Sequence, residues 1–554
     1  MNRAKEFFKR RRNAVVVFSL VFIGLIGISA DTNKYFEIAK NLEIFANLYK
    51  EINTYYVDDV DPAKLMRTGV DAMLESLDPF TNYISEAEMA GFRLQITGKY
   101  GGIGASIRND GDFVVITEPY ENFPAHKAGL MAGDKIISIN GKSAKGKTTK
   151  EVSDVLKGAP GDEVNLTVRR PGQNSDMNVR LVREEVHIPN VPYSGLIDDE
   201  TGYIYLTTFS EKAGKNVADA LEKLKAEHDI KQVVLDLRGN GGGLLKEAIN
   251  VSNVFIDKGE EIVSTRGKIK DWDRNFKTLN KPVDTDIPLV VLIDRGSASA
   301  SEIVSGVIQD LDRGVLVGQK SYGKGLVQNT RDVGYNSKVK LTTAKYYVAS
   351  GRCIQSVQYK EGEPVEIDDS LKTKFKTRNG RIVFDGGGIT PDVRMELEDF
   401  SKITQTLMRN NLVFDYATQF RLKNPSIAEA KDFALTDAEY EDFKEWLKDK
   451  DYEYETESER LLSKLEETVK KEQYYDAVKG ALEDVKQKKA IEKNNDLNKH
   501  KDEILPFLER EIVGRYYLGR GKIEIDLKND PEIDEAMSLF NDIPRYNKIL
   551  TTSN

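Results

Sequence analysis

Residues 287–309, IPLVVLIDRGSASASEIVSGVIQ, carry the reading that decides the fold. Pro288–Asp294 is an almost unbroken apolar run, as expected of a strand covered on both faces, and it breaks at Arg295-Gly296. Gly296–Glu302 (GSASASE) then opens a helix predicted over Ile303–Leu311. A buried strand feeding a helix through a turn of small residues is the repeating unit of a parallel α/β sheet. Ser299 and Glu302 spell S-x-x-E, a capping box that satisfies the first N–H groups of a helix. The same arrangement leaves a serine at a helix N-terminus, where partial positive charge favours a developing anion. Cap and nucleophile are both open at this point.

The neighbouring segments narrow the chemistry. A second apolar run, Val233–Leu237, leads through Gly239–Gly243 (GNGGG) into a helix predicted over 244–254. A dinucleotide fingerprint fails, because Leu244 stands where its last glycine belongs. A glycine loop between strand and helix still aims free N–H groups at one spot, as an oxyanion hole requires, although a plain turn would look similar. Gly318–Gly325 (GQKSYGKG) imitates a phosphate loop, but Gly325 replaces the metal-binding Ser or Thr and Leu326-Val327-Gln328 reads as strand. Without a helix N-terminus there is no cradle for phosphates, so the nucleotide reading is rejected. A serine nucleophile needs a base, and none of His126, His187, His228 or His500 sits in a comparable strand-end context. Lys324, between two glycines, is left. Its ordinary pKa of about 10.4 must fall to near 7, which costs about 4 kcal/mol and is within reach of burial.

Composition sets outer limits. The chain has 554 residues, so three to four domains are expected. Its net charge of −9 argues against nucleic-acid partners, which demand a basic face. A single Cys353 excludes a disulfide framework and a cysteine-rich zinc site; no metal or cofactor is predicted. Basic residues between Arg3 and Arg12 precede an uncharged, mostly apolar run over 13–30, the order of a secretory signal. The reading is export to the periplasm, with cleavage or anchoring to the inner membrane through residues 13–30 both open. Residues 31–97 are helical, with Phe36, Ala39, Leu42, Phe45 and Leu48 on one stripe; packing or homo-oligomerisation is the default for it.

Residues 98–185 change to short strands and turns. Gly101–Ala105 (GGIGA), Lys127–Asp134 (KAGLMAGD) and Ile139-Asn140-Gly141 together resemble a PDZ domain. That resemblance implies capture of a peptide carboxylate by the backbone of Gly101, Gly102, Ile103, Gly104 and Ala105, beside an apolar pocket lined by Ile103 and by the helix near Val152–Leu156.

GSASASE followed by Ser321–Gln328 (SYGKGLVQ) resembles the carboxyl-terminal processing, or tail-specific, serine peptidases. The signal, the PDZ module, the GNGGG loop and Gly388–Val393 (GITPDV) occur in that family's order. The resemblance implies Ser299 as nucleophile, Lys324 as general base, Gln328 as the group orienting the lysine, and the N–H groups of Gly243 and Ala300 as oxyanion hole. It also implies a multidomain α+β chain: a signal over 1–30, a helical region over 31–97, a PDZ domain over 98–185, a crotonase-like α/β peptidase core over 186–396, and a charged helical region of unnamed role over 397–554. Substrates would be proteins or peptides with free, apolar C-termini. Two other classes remain, a catalytically inactive secreted PDZ scaffold and an acyl-CoA enzyme with the same oxyanion logic. Intact Ser299, Lys324 and Gln328 argue against the first and export against the second.

Overall fold

The computed structural model describes residues 34–551 apart from 174, 361–362 and 397–398; the signal read over 1–30 lies outside the described residues. A first compact unit ends at Tyr83 and a second begins at Ile84. In the first, residues 34–55 form helix α1, and α2 spans Pro62–Glu75. Asp61 caps α2 by accepting from the N–H groups of Ala63 (2.8 Å) and Lys64 (3.2 Å), with Pro62 at the first helical position. The predicted stripe of α1 is exposed at Phe36, Leu42, Phe45 and Leu48. Among the described residues no helix is long and apolar enough to cross a membrane.

The second unit opens with α3 (Met89–Thr97) and a five-strand antiparallel path, β1 (Ala105–Asp110), β2 (Phe113–Pro119), β3 (Lys135–Ile139), β4 (Glu163–Arg169) and β5 (Met177–Val182). Asn140 and Gly141 both adopt positive φ in the tight turn after β3, as their sequence predicts. Strand β1 lies at one edge of the sheet, with α4 (Thr149–Leu156) beside it. Ile103, Val152 and Leu156, expected to line an apolar pocket, are buried in this domain's core with Val114, Ile116 and Leu166. Each sits where a small sheet has one apolar face to cover, and that need takes them inward.

The core sheet has the order β6 (Tyr193–Leu196), β7 (Thr201–Tyr205), β8 (Gln232–Asp236), β10 (Leu289–Ile293), β11 (Val315–Gly318) and β14 (Val393–Arg394); all pairs are parallel except β6–β7. A second sheet joins β9 (Glu261–Gly267) to the hairpin β12 (Leu326–Gly334)–β13 (Ser337–Val348). Helices α5 (Ala213–His228), α6 (Leu245–Phe255) and α7 (Ala300–Asp310) cover one face of the core sheet, meeting Val233, Leu235, Leu289, Val291 and Ile293. The alternate residues Val234, Val290, Leu292, Val315 and Val317 point the other way, as a period of two requires.

That second face is covered by the chain's end. Beyond α8 (Leu412–Lys423) and the long α9 (Lys501–Asp526), helices α10 (Pro531–Asn541) and α11 (Ile543–Thr551) lay Ile533, Ala536, Leu539, Phe540 and Tyr546 on it. The Tyr546 hydroxyl accepts from the N–H of Leu289 and donates to its carbonyl, both at 3.0 Å. Arg238, after β8, joins Asp236 to Asp530 (2.7 Å) and Glu532 (2.6 Å) of the closing helices. Helix α7 begins at Ala300, three residues before its predicted start, because Ser299 turns the chain into it directly.

Candidate active site

Two tight turns meet at the C-terminal ends of β8 and β10, where open α/β sheets place their ligands. Asp294 ties them together: its Oδ1 accepts from the N–H groups of Gly239, Gly296 and Ser297, each at 2.9 Å. Asn240 is the second bolt. Its Oδ1 accepts from the Gly242 N–H at 2.9 Å, its amide donates to the Leu206 carbonyl at 2.7 Å, and its own carbonyl accepts from Ala298 N–H and Ser301 Oγ. Neither residue was singled out by sequence, because a turn polar residue gives no sign of which loop it will reach.

Gly242 and Gly243 are required by contact. A Cβ on Gly242 would stand 2.7 Å from the Ala298 carbonyl and 2.9 Å from Ser299 Cβ; one on Gly243 would stand 2.5 Å from the Phe209 carbonyl. The glycine loop therefore presses directly on the serine turn. Ser299 has φ +56° and ψ −108°, a conformation that L residues avoid and that costs about 1–3 kcal/mol. Ala300 is the first residue of α7, so its N–H has no carbonyl one turn back to bond.

Glu302 holds this strain in place. Fully buried, it accepts the Ser299 N–H (2.7 Å) and the Lys324 N–H (2.9 Å) on one oxygen. The other oxygen takes the Gly323 N–H and the Ser321 hydroxyl, both at 2.6 Å. The S-x-x-E pair is thus more than a helix cap: one carboxylate joins the serine turn to the lysine loop. Burial pushes the Glu302 carboxyl above its ordinary value, and the four hydrogen bonds pull against that. Ser321 in turn accepts from the N–H of Ile389, at 2.7 Å, which brings the GITPDV segment in behind the site. The buried Tyr346 hydroxyl lies 3.0 Å from the Ser299 carbonyl and 2.5 Å from that of Lys324, a second tie between the same two residues.

Ser299, Ala300, Lys324, Gln328 and Gly243 all line one cavity of about 470 Å³, between the tips of β8 and β10, helix α3 and the β12–β13 hairpin. None of the four histidines lines it. Gln328 donates its amide N–H to Thr342 Oγ1 at 3.2 Å, across the hairpin.

The GGIGA residues lie elsewhere, at the open edge of β1. Gly101 and Gly102 pair with Glu185 and Glu184 in a short ribbon, and Gly104 takes φ +71° with Phe123 packed where a Cβ would go. The carbonyls of Gly101, Ile103 and Gly104 accept from Gly158, Ala125 and Tyr120 at 3.1, 2.8 and 2.8 Å. Each trans peptide then points its following N–H, on Gly102, Gly104 and Ala105, the opposite way. The Tyr100 hydroxyl meets the Ala105 N–H there, and burial pushes that phenol well above its usual range.

A strained serine at a helix N-terminus, with a lysine and no histidine on its cavity, suits acyl transfer, and the attached edge-strand module suits peptide ends. The class so defined is a serine peptidase with a PDZ domain. The family model of peptidase family S41 matches residues 200–362, a PDZ-domain model matches 115–170, and a model described as the C-terminal helical domain of a probable PDZ-protease matches 403–540. The carboxy-terminal-processing protease of Bartonella bacilliformis is 34% identical over 363 residues, covering 65% of this chain and 82% of that protein. A probable CtpA-like serine protease of Staphylococcus aureus strain COL is 35% identical over 344 residues, 61% of this chain and 66% of that protein. The solved photosystem II D1 C-terminal processing protease matches at 27% identity and TM-score 0.35, covering 64% of this chain and 92% of that one. The chain belongs to the carboxy-terminal-processing serine peptidases of family S41. It is a multidomain α+β peptidase with helical terminal regions and a PDZ-like β-domain.

Proposed function

We propose that the chain is an exported endopeptidase in which Ser299 and Lys324 form the catalytic dyad on a crotonase-like core. The Lys324 amine takes the proton of Ser299 Oγ as that oxygen attacks the scissile carbonyl. The N–H groups of Gly243 and Ala300 hold the resulting oxyanion, and Gln328 orients the lysine. Lys324 then gives the proton to the leaving amine, and water, deprotonated by the same lysine, releases the acyl-enzyme. The observation that carries this reading is the single Glu302 oxygen accepting from both Ser299 and Lys324. No structural role for a helix cap needs the second of those bonds.

Substrates are polypeptides read by their free C-terminus at Gly101–Ala105, with apolar terminal residues. The basic and apolar N-terminal sequence supports export to the periplasm, with residues 13–30 as an inner-membrane anchor, and the exposed apolar stripe of α1 supports homo-oligomers. The test is fluorophosphonate labelling with a peptide-cleavage assay. Wild type labels at Ser299 and cleaves; Ser299→Ala does neither; Lys324→Ala keeps its fold and loses cleavage. Full turnover by Lys324→Ala would show the base to be misassigned.

A further inference from the structure

The active-site cavity carries a second lysine that the proposed mechanism does not use. Lys340, on β13, lines the cavity with Ser299 and Lys324. It stands opposite Thr330 of β12 and two residues along from Thr342, the partner of Gln328. Two residues of strand are roughly 7 Å, so its side chain leaves the same face of the hairpin one step beyond Gln328. Lys340 is half-buried and, among the described residues, has neither an ion-pair nor a hydrogen-bond partner. Burial alone pushes its amine down, with no contribution from a neighbouring charge. The dyad proposed above gives it no part in the bond-breaking step.

The rest of the lining sharpens this. No Asp or Glu is among the described residues that line the cavity, and the N-terminal ends of α6 and α7 open into it at Leu245 and Ala300. The nearby carboxyl of Glu302 lies buried behind the lining, with both oxygens taken by four donors. Two lysines and two helix N-termini therefore face the cleft itself and make it a place where negative charge is favoured. A partly desolvated ammonium without a partner is costly unless something arrives to pair with it.

We infer that Lys340 is a specificity-determining residue that binds a carboxylate of the substrate within a few residues of the scissile bond. This rests on the dyad reading above and adds the substrate feature that the cleft selects. The carboxylate has two sources, an Asp or Glu side chain or the chain terminus of a short substrate.

The experiment uses the full chain and internally quenched peptides in matched pairs. One arm compares Glu with Gln at successive positions around the scissile bond, with every C-terminus amidated. The other compares free acid with amide on an otherwise neutral peptide. Each result is a ratio of kcat/KM within one variant, so a general loss of activity cancels. Wild type is expected to favour the carboxylate about tenfold or more in the arm that Lys340 reads, over and above any free-acid preference that Gly104→Ala removes. Lys340→Met should bring that ratio near one, and Lys340→Glu should favour a Lys-containing peptide instead. Loss confined to the Glu/Gln arm identifies a side chain, and loss confined to the acid/amide arm identifies the terminus. Wild-type ratios near one in both arms, or unchanged ratios in Lys340→Met, overturn the proposal. Ser299→Ala is run beside them: if it still cleaves, the dyad reading has failed, whatever the ratios show.

Discussion

The GNGGG loop and the GGIGA loop, proposed above as the two places for negative charge, are supported in opposite ways. The first is bolted largely by side chains. Asp294 reaches from the serine turn to the Gly239 N–H, and Asn240 holds the Gly242 N–H with its side chain while its backbone carbonyl accepts from the serine turn. Glu302 carries the bonding on to the lysine loop. The second is held by neighbouring backbone, through the N–H groups of Gly158, Ala125 and Tyr120, at the edge of a small sheet. The difference follows from the anions. An oxyanion exists only in passing, so its donors must already be in place when it forms. A terminal carboxylate arrives ready-made and can order a softer loop as it binds, together with the strand edge it lies on.

The comparison breaks most visibly at the dyad. Ser299→Ala and Lys324→Ala should each lower kcat by about 10³-fold or more, and the double variant should lose no more than either alone, because the pair acts as a unit. Lys324→Arg should be as inactive, since a guanidinium does not give up its proton at working pH. Single-turnover kinetics on one unfolded substrate checks all four.

Glu302→Gln tests whether the first loop needs its carboxylate. An amide can offer one oxygen to four donors and turns an NH₂ toward the others. The expected outcome is a loss of about 10²-fold in kcat with KM little changed, because Ser299 and Lys324 drift from their places. The same variant should leave C-terminal peptide binding untouched, which calorimetry on an inactive background would read. Lost binding there would mean that the two loops share support.

Smaller effects are expected at the second loop. Gly104→Ala meets both a positive φ and the Phe123 side chain, so it should cut the preference for a free over an amidated C-terminus by about tenfold while sparing generic substrates. The smallest change should come from Gln328→Ala, a loss under about tenfold in kcat/KM, since in the proposed dyad Gln328 orients the base and does not take the proton. If the loss instead matches that of Lys324→Ala, Gln328 shares the base's task.

Sequence alone determined much of this. The apolar runs at Val233–Leu237 and Leu289–Ile293 announce strands covered twice, and both became central strands of a parallel sheet. The motif residues Ser299, Lys324, Gln328, Gly243 and Ala300 were legible from local pattern and family resemblance, and they line one cavity. Local pattern cannot say which distant segment supplies a partner. Both faces of the core sheet had to be covered, yet only the tertiary structure gave the second to Ile533, Leu539 and Phe540 of the closing helices, from a charged region to which the sequence assigned no role. Glu302 is the same lesson at the scale of one side chain. Its spacing from Ser299 fixed one hydrogen bond, while the bonds to Ser321, Gly323 and Lys324 depend on a loop about twenty residues away that only folding brings within reach.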